Sequence, residues 1–383
     1  MTGTRADFGL LRNLIAELAS RNDTELQLIV TGSHLSAAHG MTVGEVKAAG
    51  FDIAAEVSIW GESDSSLDAA VDTGEAIAKF ARTLDDLKPD VVVVLGDRLE
   101  AFAMAAAATV LLIPVAHVHG GELTEGAMDD ALRHSITKLS YLHFTTTEGH
   151  RHRVEQLGEA PDRVFNFGAP VLDALESLNL LSREEVAERF GIRFAERNVM
   201  MTFHPAAFDE APAQELIDNL LGAMGDFADQ DGAHLIITGT NNDIGSAEAR
   251  AAIAAFAAAR PEQVDYVESF GQLGYLSAMK QMSVVTGNSS STVLEAPVLG
   301  VPAVLVGNRQ EGRPLSASVL KPIAKRADIL AALKHAVSPE FLSHIDGVGT
   351  PFGKPGFAKK AAEVLATYEI PKPPKKKFWQ ESH

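Results

Sequence analysis

The sequence predicts an α/β protein of two Rossmann-like, doubly wound domains facing each other across a cleft, and three observations carry that reading. Short β-branched runs alternate with longer helical patterns through most of the 383 residues. The runs are apolar throughout, as in parallel sheets covered on both faces. The rhythm weakens once, between about Asp173 and Arg197, where SREEVAERFGIRFAERN joins two strand–helix series. At about 150 residues per domain, the length also suits two.

In chain order the strand candidates are Leu26–Val30, Val91–Leu95, Leu112–Val118, Leu142–Thr145, Val164–Phe167, Val199–Phe203, Leu235–Thr238, Val264–Val267, Val284–Thr286 and Ala303–Val306. Between them lie helical stretches at Leu10–Leu18, Ser66–Leu87, Glu100–Ala108, Ala131–Leu139, Gln214–Phe227, Ala247–Ala258 and Ser291–Leu299. The apolar run Ala101–Val118 contains Pro114 and His117 and changes character at Leu111, so it reads as a buried helix followed by a buried strand. The first domain is expected over residues 1–175 and the second over 190–356. The Pro- and Lys-rich tail follows a helical stretch, Lys359–Tyr368, and is expected to pack back on the fold, because Phe378 and Trp379 would otherwise stand needlessly exposed. One feature is awkward: the chain opens on a Thr-Gly-Thr-Arg turn with no strand ahead of it, where a doubly wound sheet normally carries its central first strand.

Composition removes several function classes. With 33 Lys+Arg against 51 Asp+Glu the formal net charge is −18, which argues against nucleic acid or an anionic membrane as partner. The absence of cysteine excludes disulfides, a thiolate nucleophile and Cys-ligated metal. Met1–Asp7 carries no apolar signal region, so a cytoplasmic protein is expected. No G-x-G-x-x-G follows a strand, no G-x-S-x-G elbow exists, and 349–355 misses a phosphate-binding loop in spacing and in its Ser/Thr.

Four polar clusters directly follow apolar strands, where open α/β sheets place ligand-binding groups: Gly96-Asp97-Arg98, Gly120-Gly121-Glu122, His204-Pro205 and Gly287-Asn288-Ser289-Ser290-Ser291. The last opens the expected helix 291–299, whose N-terminal amides suit a diphosphate, although a plain serine cap fits the same residues. Glu295, one turn on, would repel phosphate but accept from a ribose diol, while Arg309 and Arg313 offer positive charge. Asp97 reads as a general base or as a helix cap, and Arg98 as a phosphate partner or a surface ion pair. Asp129 lies four residues before Arg133, a helical pair spacing. Glu122, beside two glycines, has no evident structural task. His117 and His119 form an H-x-H on a strand, a spacing that also admits a metal.

Taken together, TGTRADFGLL, IVTGSHLS, LGDRLEA, HGGELTEGAMDDALRHSITKLSYLHF, FGQLGYLSAM, GNSSSTVLEAP and GVPAVLVGNRQEGR resemble the hydrolysing UDP-N-acetylglucosamine 2-epimerases over nearly the whole chain. The resemblance implies a GT-B pair of domains with residues 357–383 crossing back to the first, no cofactor or metal, a homodimer or higher homo-oligomer, and a place in sialic or related nonulosonic acid synthesis. It implies removal of the C2 proton and loss of UDP from C1, followed by water addition. By motif it gives Asp97, Glu122 and Asp129 as acid–base carboxylates, Arg133 beside them, and His204 near the diphosphate. Arg5, Arg98, Asn241, Phe270, Ser289, Ser290, Glu295 and Arg309 are implied for UDP, with Phe270 near the uracil. The chain departs from the family in its missing first strand, in GNRQ where GDRQ is usual, and in a loose segment after His204. Competing readings are the UDP-N,N′-diacetylbacillosamine variant, a UDP-sugar glycosyltransferase, a non-catalytic nucleotide-sugar sensor and, from the histidines, a metallohydrolase.

Overall fold

A computed structural model describes residues 1–36, 41–60, 65–124, 128–205, 212–240 and 246–380. It divides into two compact units, one formed by Met1–Glu176 with Phe352–His383 and the other by Ser177–Pro351. Every named strand pairing is parallel, as the continuous apolar runs require. No described helix is long and apolar enough to cross a membrane.

The first unit carries β1 (Leu28–Thr31), β2 (Ile53–Val57), β3 (Val92–Leu95), β4 (Val115–Val118), β5 (Leu142–Thr145) and β6 (Val164–Asn166). β1 pairs with β2, and β3–β4–β5–β6 run in that order. Met1 and Thr2 lie between the two groups. The Thr2 amide donates to the Ile29 carbonyl and the Thr31 amide to that of Thr2, each at 3.0 Å, while the Met1 amino group donates to Val93 at 3.2 Å. The first strand missing from the sequence reading is thus represented by a one-residue bridge, Thr2 to Val30.

Strand alternation sorts the side chains onto two covered faces. Leu28, Val30 and Leu95 join one core with Phe8, Leu11 and Leu14 of the helix Arg5–Ser20 and Phe357, Ala358, Ala361 and Ala362 of the helix Phe357–Thr367. Ile29, Val92 and Val94 join the other, with Phe80 and Leu84 of the helix Ser66–Leu87 and the Ala-rich helix Leu99–Val110. The C-terminal helix therefore does return to the first unit. Its start is fixed by Asp173, whose carboxylate accepts from the amides of Gly356, Phe357 and Ala358 at 2.5, 3.1 and 2.6 Å. The tail beyond is held by Lys376, which donates to the Lys138 and Ser140 carbonyls and to Glu159, and by the Trp379 amide on Gly158. Phe378 lies against Gly158 yet stays 64% exposed, so its burial is not what holds the tail.

The second unit carries β7 (Asn198–Thr202), β8 (His234–Thr238), β9 (Val264–Val267), β10 (Val284–Gly287), β11 (Ala303–Leu305) and β12 (Val319–Leu320) in the order β9–β8–β7–β10–β11–β12. This is the dinucleotide-binding order 3-2-1-4-5-6, with its reversal between β7 and β10. Its core is built on Phe203, Leu220, Phe227, Ile237 and Leu333.

One expected element is corrected. In place of a helix over 291–299 there is a single 3₁₀ turn, Ser290–Thr292, and a four-residue helix, Glu295–Val298. Pro297 has no amide to donate back to Val293 and its ring clashes there, so a continuous helix cannot run through Val293, and the helix starts at Glu295 instead. The anion-binding argument from a long helix dipole falls with it. Sequence reading also missed Ile53–Val57, whose alternating exposure and Ala-Glu content dilute the strand signal, and Val319–Leu320, only two residues long.

Candidate active site

The first unit gathers Asp97, Arg98, Glu122, Asp130 and Arg133 just beyond the carboxyl ends of β3 and β4. Gly96, with φ +73, turns the chain out of β3. The helix that follows is capped at Arg98, without a side-chain cap bond, so Asp97 is not the cap its position suggested. Its carboxylate is paired with the guanidinium of Arg133, whose side chain is 5% exposed and which also donates to the Thr124 hydroxyl at 3.0 Å. Asp130 lies 3.7 Å from the same guanidinium and accepts from the Thr124 amide at 2.9 Å. Helical geometry explains this sharing: Asp130 and Arg133 are three apart on Met128–Leu139, hence on one face. Asp129 is exposed on that first turn.

His117 braces the same corner. Its Nε2 lies 2.7 Å from the Gly96 carbonyl, which only accepts, so that nitrogen carries the proton, and Nδ1 faces the Thr137 hydroxyl at 3.2 Å. Burial holds this imidazole down at about 3, and neutral. His119 leaves the strand with φ +69 and sets its Nδ1 3.2 Å from Glu122. The alternation behind the H-x-H metal reading ends there, and no group of three potential ligands is found among the described residues. Glu122 itself is buried and accepts from the Thr146 hydroxyl at 3.1 Å.

Arg98 is half exposed and donates from Nε to the buried Glu100 at 2.8 Å. Asp7 stands beside this pair. Burial, opposed by Arg98 and reinforced by Glu100, raises its carboxyl to about 6. Arg5 is an exposed residue at the start of its helix, 3.8 Å from Glu45.

In the second unit the candidate groups collect at the topological reversal, at the ends of β7 and β10. Gly287 is required there, since a Cβ would lie 2.0 Å from the Thr202 carbonyl oxygen. The next residue, Asn288, clamps His204 through the backbone: its Oδ1 accepts from the His204 amide at 2.8 Å and its Nδ2 donates to the His204 carbonyl at 2.6 Å. The Asn288 carbonyl in turn accepts from Gln310 at 2.9 Å and Arg309 at 3.4 Å. Burial, aided by the Arg309 charge, brings the His204 imidazole down to about 4. A hydroxyl chain runs from Thr202 to Tyr275 at 2.9 Å, to Ser291 at 2.7 Å and to Ser289 at 3.0 Å. Ser290 opens the 3₁₀ turn.

Glu295 is partly exposed as a residue, but its Oε2 is sealed from solvent with no hydrogen-bond partner among the described residues. Burial lifts this carboxyl to about 7, its own backbone amide and Arg313 opposing. Phe270 is buried with its ring 4.7 Å from that of Phe190. Asn241 lies outside the described residues.

Sequence reasoning missed Thr146, His150, Asn288 and Tyr275. Asn288 stood inside a flagged motif but was given no role of its own. The others carried no local signal, because their partners lie on other elements. A cavity of ≈1100 Å³ bordered by Met1, Leu28, Val91–Val93 and Tyr368 includes none of the candidate residues.

Known proteins agree on what this arrangement belongs to. The family described as UDP-N-acetylglucosamine 2-epimerase matches residues 16–366. The chain is 33% identical over 341 residues to the GDP/UDP-N,N'-diacetylbacillosamine 2-epimerase (hydrolyzing) of Campylobacter jejuni, covering 89% of this chain and 87% of that one. It is 33% identical over 343 residues to the UDP-N-acetylglucosamine 2-epimerase of Neisseria meningitidis, covering 88% and 86%. In fold it matches a Neisseria meningitidis UDP-GlcNAc 2-epimerase solved with UDP-GlcNAc, with a TM-score of 0.80 at 21% identity over 95% of this chain and 97% of that one. The chain belongs to the UDP-N-acetylglucosamine 2-epimerase family.

Proposed function

We propose that the protein is a hydrolysing 2-epimerase of nucleotide sugars, converting UDP-N-acetylglucosamine and water to UDP and free N-acetylmannosamine. The observation that carries this is the pairing of Asp97 with buried Arg133 beyond β3 while buried Glu122 follows β4, the neighbouring parallel strand. Two carboxylates at adjacent strand ends suit a reaction that first takes a proton and later returns one.

The first step breaks C2–H and the C1–O bond: a carboxylate takes the proton, C1=C2 forms, and UDP leaves with the bonding pair. The product is 2-acetamidoglucal. Water then adds, its hydroxide to C1 and a proton to C2 from the opposite face, giving the manno configuration. A C2–H is a weak acid until the C1–O bond stretches, so base and leaving-group stabilisation must act together.

Asp97, Glu122 and Asp129 are assigned the proton transfers, with Arg133 orienting Asp97 through their ion pair. The second unit is assigned the nucleotide. Ser289, Ser290 and Arg309 would meet phosphate oxygens, neutral His204 would donate to the leaving diphosphate, and Glu295 would accept from the ribose. Arg5, Arg98, Asn241 and Phe270 complete the UDP set. The enzyme acts as a cytoplasmic homo-oligomer on this reading, without cofactor.

Diacetylbacillosamine linked to UDP is the second substrate candidate, favoured by the 33% identity shared equally with relatives of both names. An NMR time course with each nucleotide sugar tests the proposal. Release of UDP with a 2-epimerised free sugar supports it and names the substrate. No turnover of either overturns it, and full turnover by Asp97→Asn and Glu122→Gln overturns the site.

A further inference from the structure

Glu122 sits in an irregular loop, yet proton transfer at a sugar carbon needs a carboxylate held within about 0.5 Å of one place. The helix Glu148–Gln156 supplies what the loop lacks. Gly121, with φ +79, lies so close to its first turn that a Cβ would stand 2.3 Å from the His150 carbonyl oxygen, and Arg153 donates to the Gly121 carbonyl. Two adjacent threonines then do different work. Thr147 caps the helix by accepting from the His150 amide at 3.1 Å. Thr146 turns instead to Glu122 at 3.1 Å, with His150 Nδ1 2.8 Å behind it.

We propose that Thr146 and His150 are positioning residues for Glu122, joined in a one-way chain in which His150 Nδ1–H donates to Thr146 and the Thr146 hydroxyl donates to the carboxylate. The inference rests on the reading of Glu122 as an acid–base group. Its direction follows from proton counting. A carboxylate only accepts, so the single hydroxyl proton of Thr146 goes to Glu122, and Thr146 must then accept from the imidazole. A neutral imidazole has one ring proton, and here it is committed to Nδ1. Burial holds His150 at about 4, Glu122 pulling upward and Arg153, His119 and Arg133 downward, so the ring is neutral near pH 7.

The side-chain geometry offers a sharp test. Asparagine places its amide nitrogen where Nδ1 stood, whereas glutamine reaches the position of Nε2. Loss of one hydrogen bond to a charged group corresponds to about a ten- to hundredfold loss of rate. Steady-state kinetics on whichever nucleotide sugar turns over should show that fall in kcat for Thr146→Val and His150→Gln, with KM changed by no more than about twofold. Thr146→Ser and His150→Asn should retain most of wild-type kcat, and the Thr146→Val/His150→Gln double variant should fall no further than either single one. Equal losses for His150→Asn and His150→Gln, or an unchanged kcat in Thr146→Val, overturn the chain. Should wild type turn over neither sugar, the assigned reaction fails and the chain is judged on ¹⁵N spectra of the histidines. An Nδ1–H tautomer at His150 that is lost in Thr146→Val supports it, and an Nε2–H tautomer in wild type overturns it.

Discussion

Replacing Glu295 by glutamine separates the cost of burying that carboxyl from its use. In the folded protein the group is raised from its ordinary 4.5 to about 7, chiefly by burial. For an acid with a raised folded pKa, the stability it contributes is complete below about pH 4.5 and is lost as pH rises through 7. The difference of about 2.5 units corresponds to up to about 3 kcal/mol at pH 8. Glu295→Gln should therefore match wild type near pH 4.5 in urea unfolding and exceed it progressively toward pH 8. If a ribose diol donates to the ionised carboxyl, UDP binding should show the opposite trend. Only about a tenth of Glu295 is ionised at pH 6 and about nine-tenths at pH 8, so wild-type affinity should fall about tenfold on acidification. Calorimetric titrations of UDP across that range would measure it, with Glu295→Gln giving the baseline from the ligand's own titration. A stability difference that does not vary with pH would refute the burial argument, and identical pH profiles for the two proteins would refute the contact with UDP.

Three further perturbations test other parts of the structure. Asp173→Ala removes the acceptor of three helix-start amides, and the loss of a cap with charge-assisted bonds should cost about 2–4 kcal/mol in urea unfolding. Gly121→Ala places a Cβ against the His150 carbonyl in left-handed backbone, at least about 1–2 kcal/mol from the backbone alone, and should depress kcat of any 2-epimerase activity before it unfolds the chain, as kinetics alongside thermal melts would show. Asn288→Ala releases both backbone bonds to His204, and calorimetry should find UDP affinity reduced by about tenfold at a melting temperature lowered by a few degrees.

Features that depend on chain neighbours were readable in the amino acids. Val91–Leu95 is apolar on both faces because both faces are covered, and its residues divide between two cores by simple alternation. A polar residue immediately after such a run marks a strand's carboxyl end, which is why Asp97, Glu122, His204 and Ser289 were found without knowing what paired with what. The helix expected over 291–299 failed on a local rule that was available but outvoted: Pro297 lies where the pattern wanted a continuing turn. Arg133 shows the opposite limit. Its spacing from Asp129 suggested a pair along one helix face, yet the guanidinium turns inward to Asp97, thirty-six residues earlier, a choice made by the packing of Met128–Leu139 and invisible in helical periodicity.

The same contrast explains why the second unit's site was legible in its members but not in its assembly. His204 and Asn288 are eighty-four residues apart, and nothing in either segment names the other. They meet because β7 and β10 are neighbours at the one place where the strand order reverses, so the chains leaving them diverge and leave the strand ends open. There His204 lies beyond the last residue of β7, and the Asn288 side chain supplies its backbone with an acceptor and a donor, as a ladder does within the sheet. A side chain that must satisfy an amide and a carbonyl on one residue needs a donor and an acceptor on a single short fork, which leaves asparagine as the economical choice. The hold on this point therefore follows from sheet topology: the reversal that opens the strand ends sets β7 beside β10, and Asn288, leaving one, grips the backbone of His204, leaving the other, whose imidazole feels the charge of Arg309.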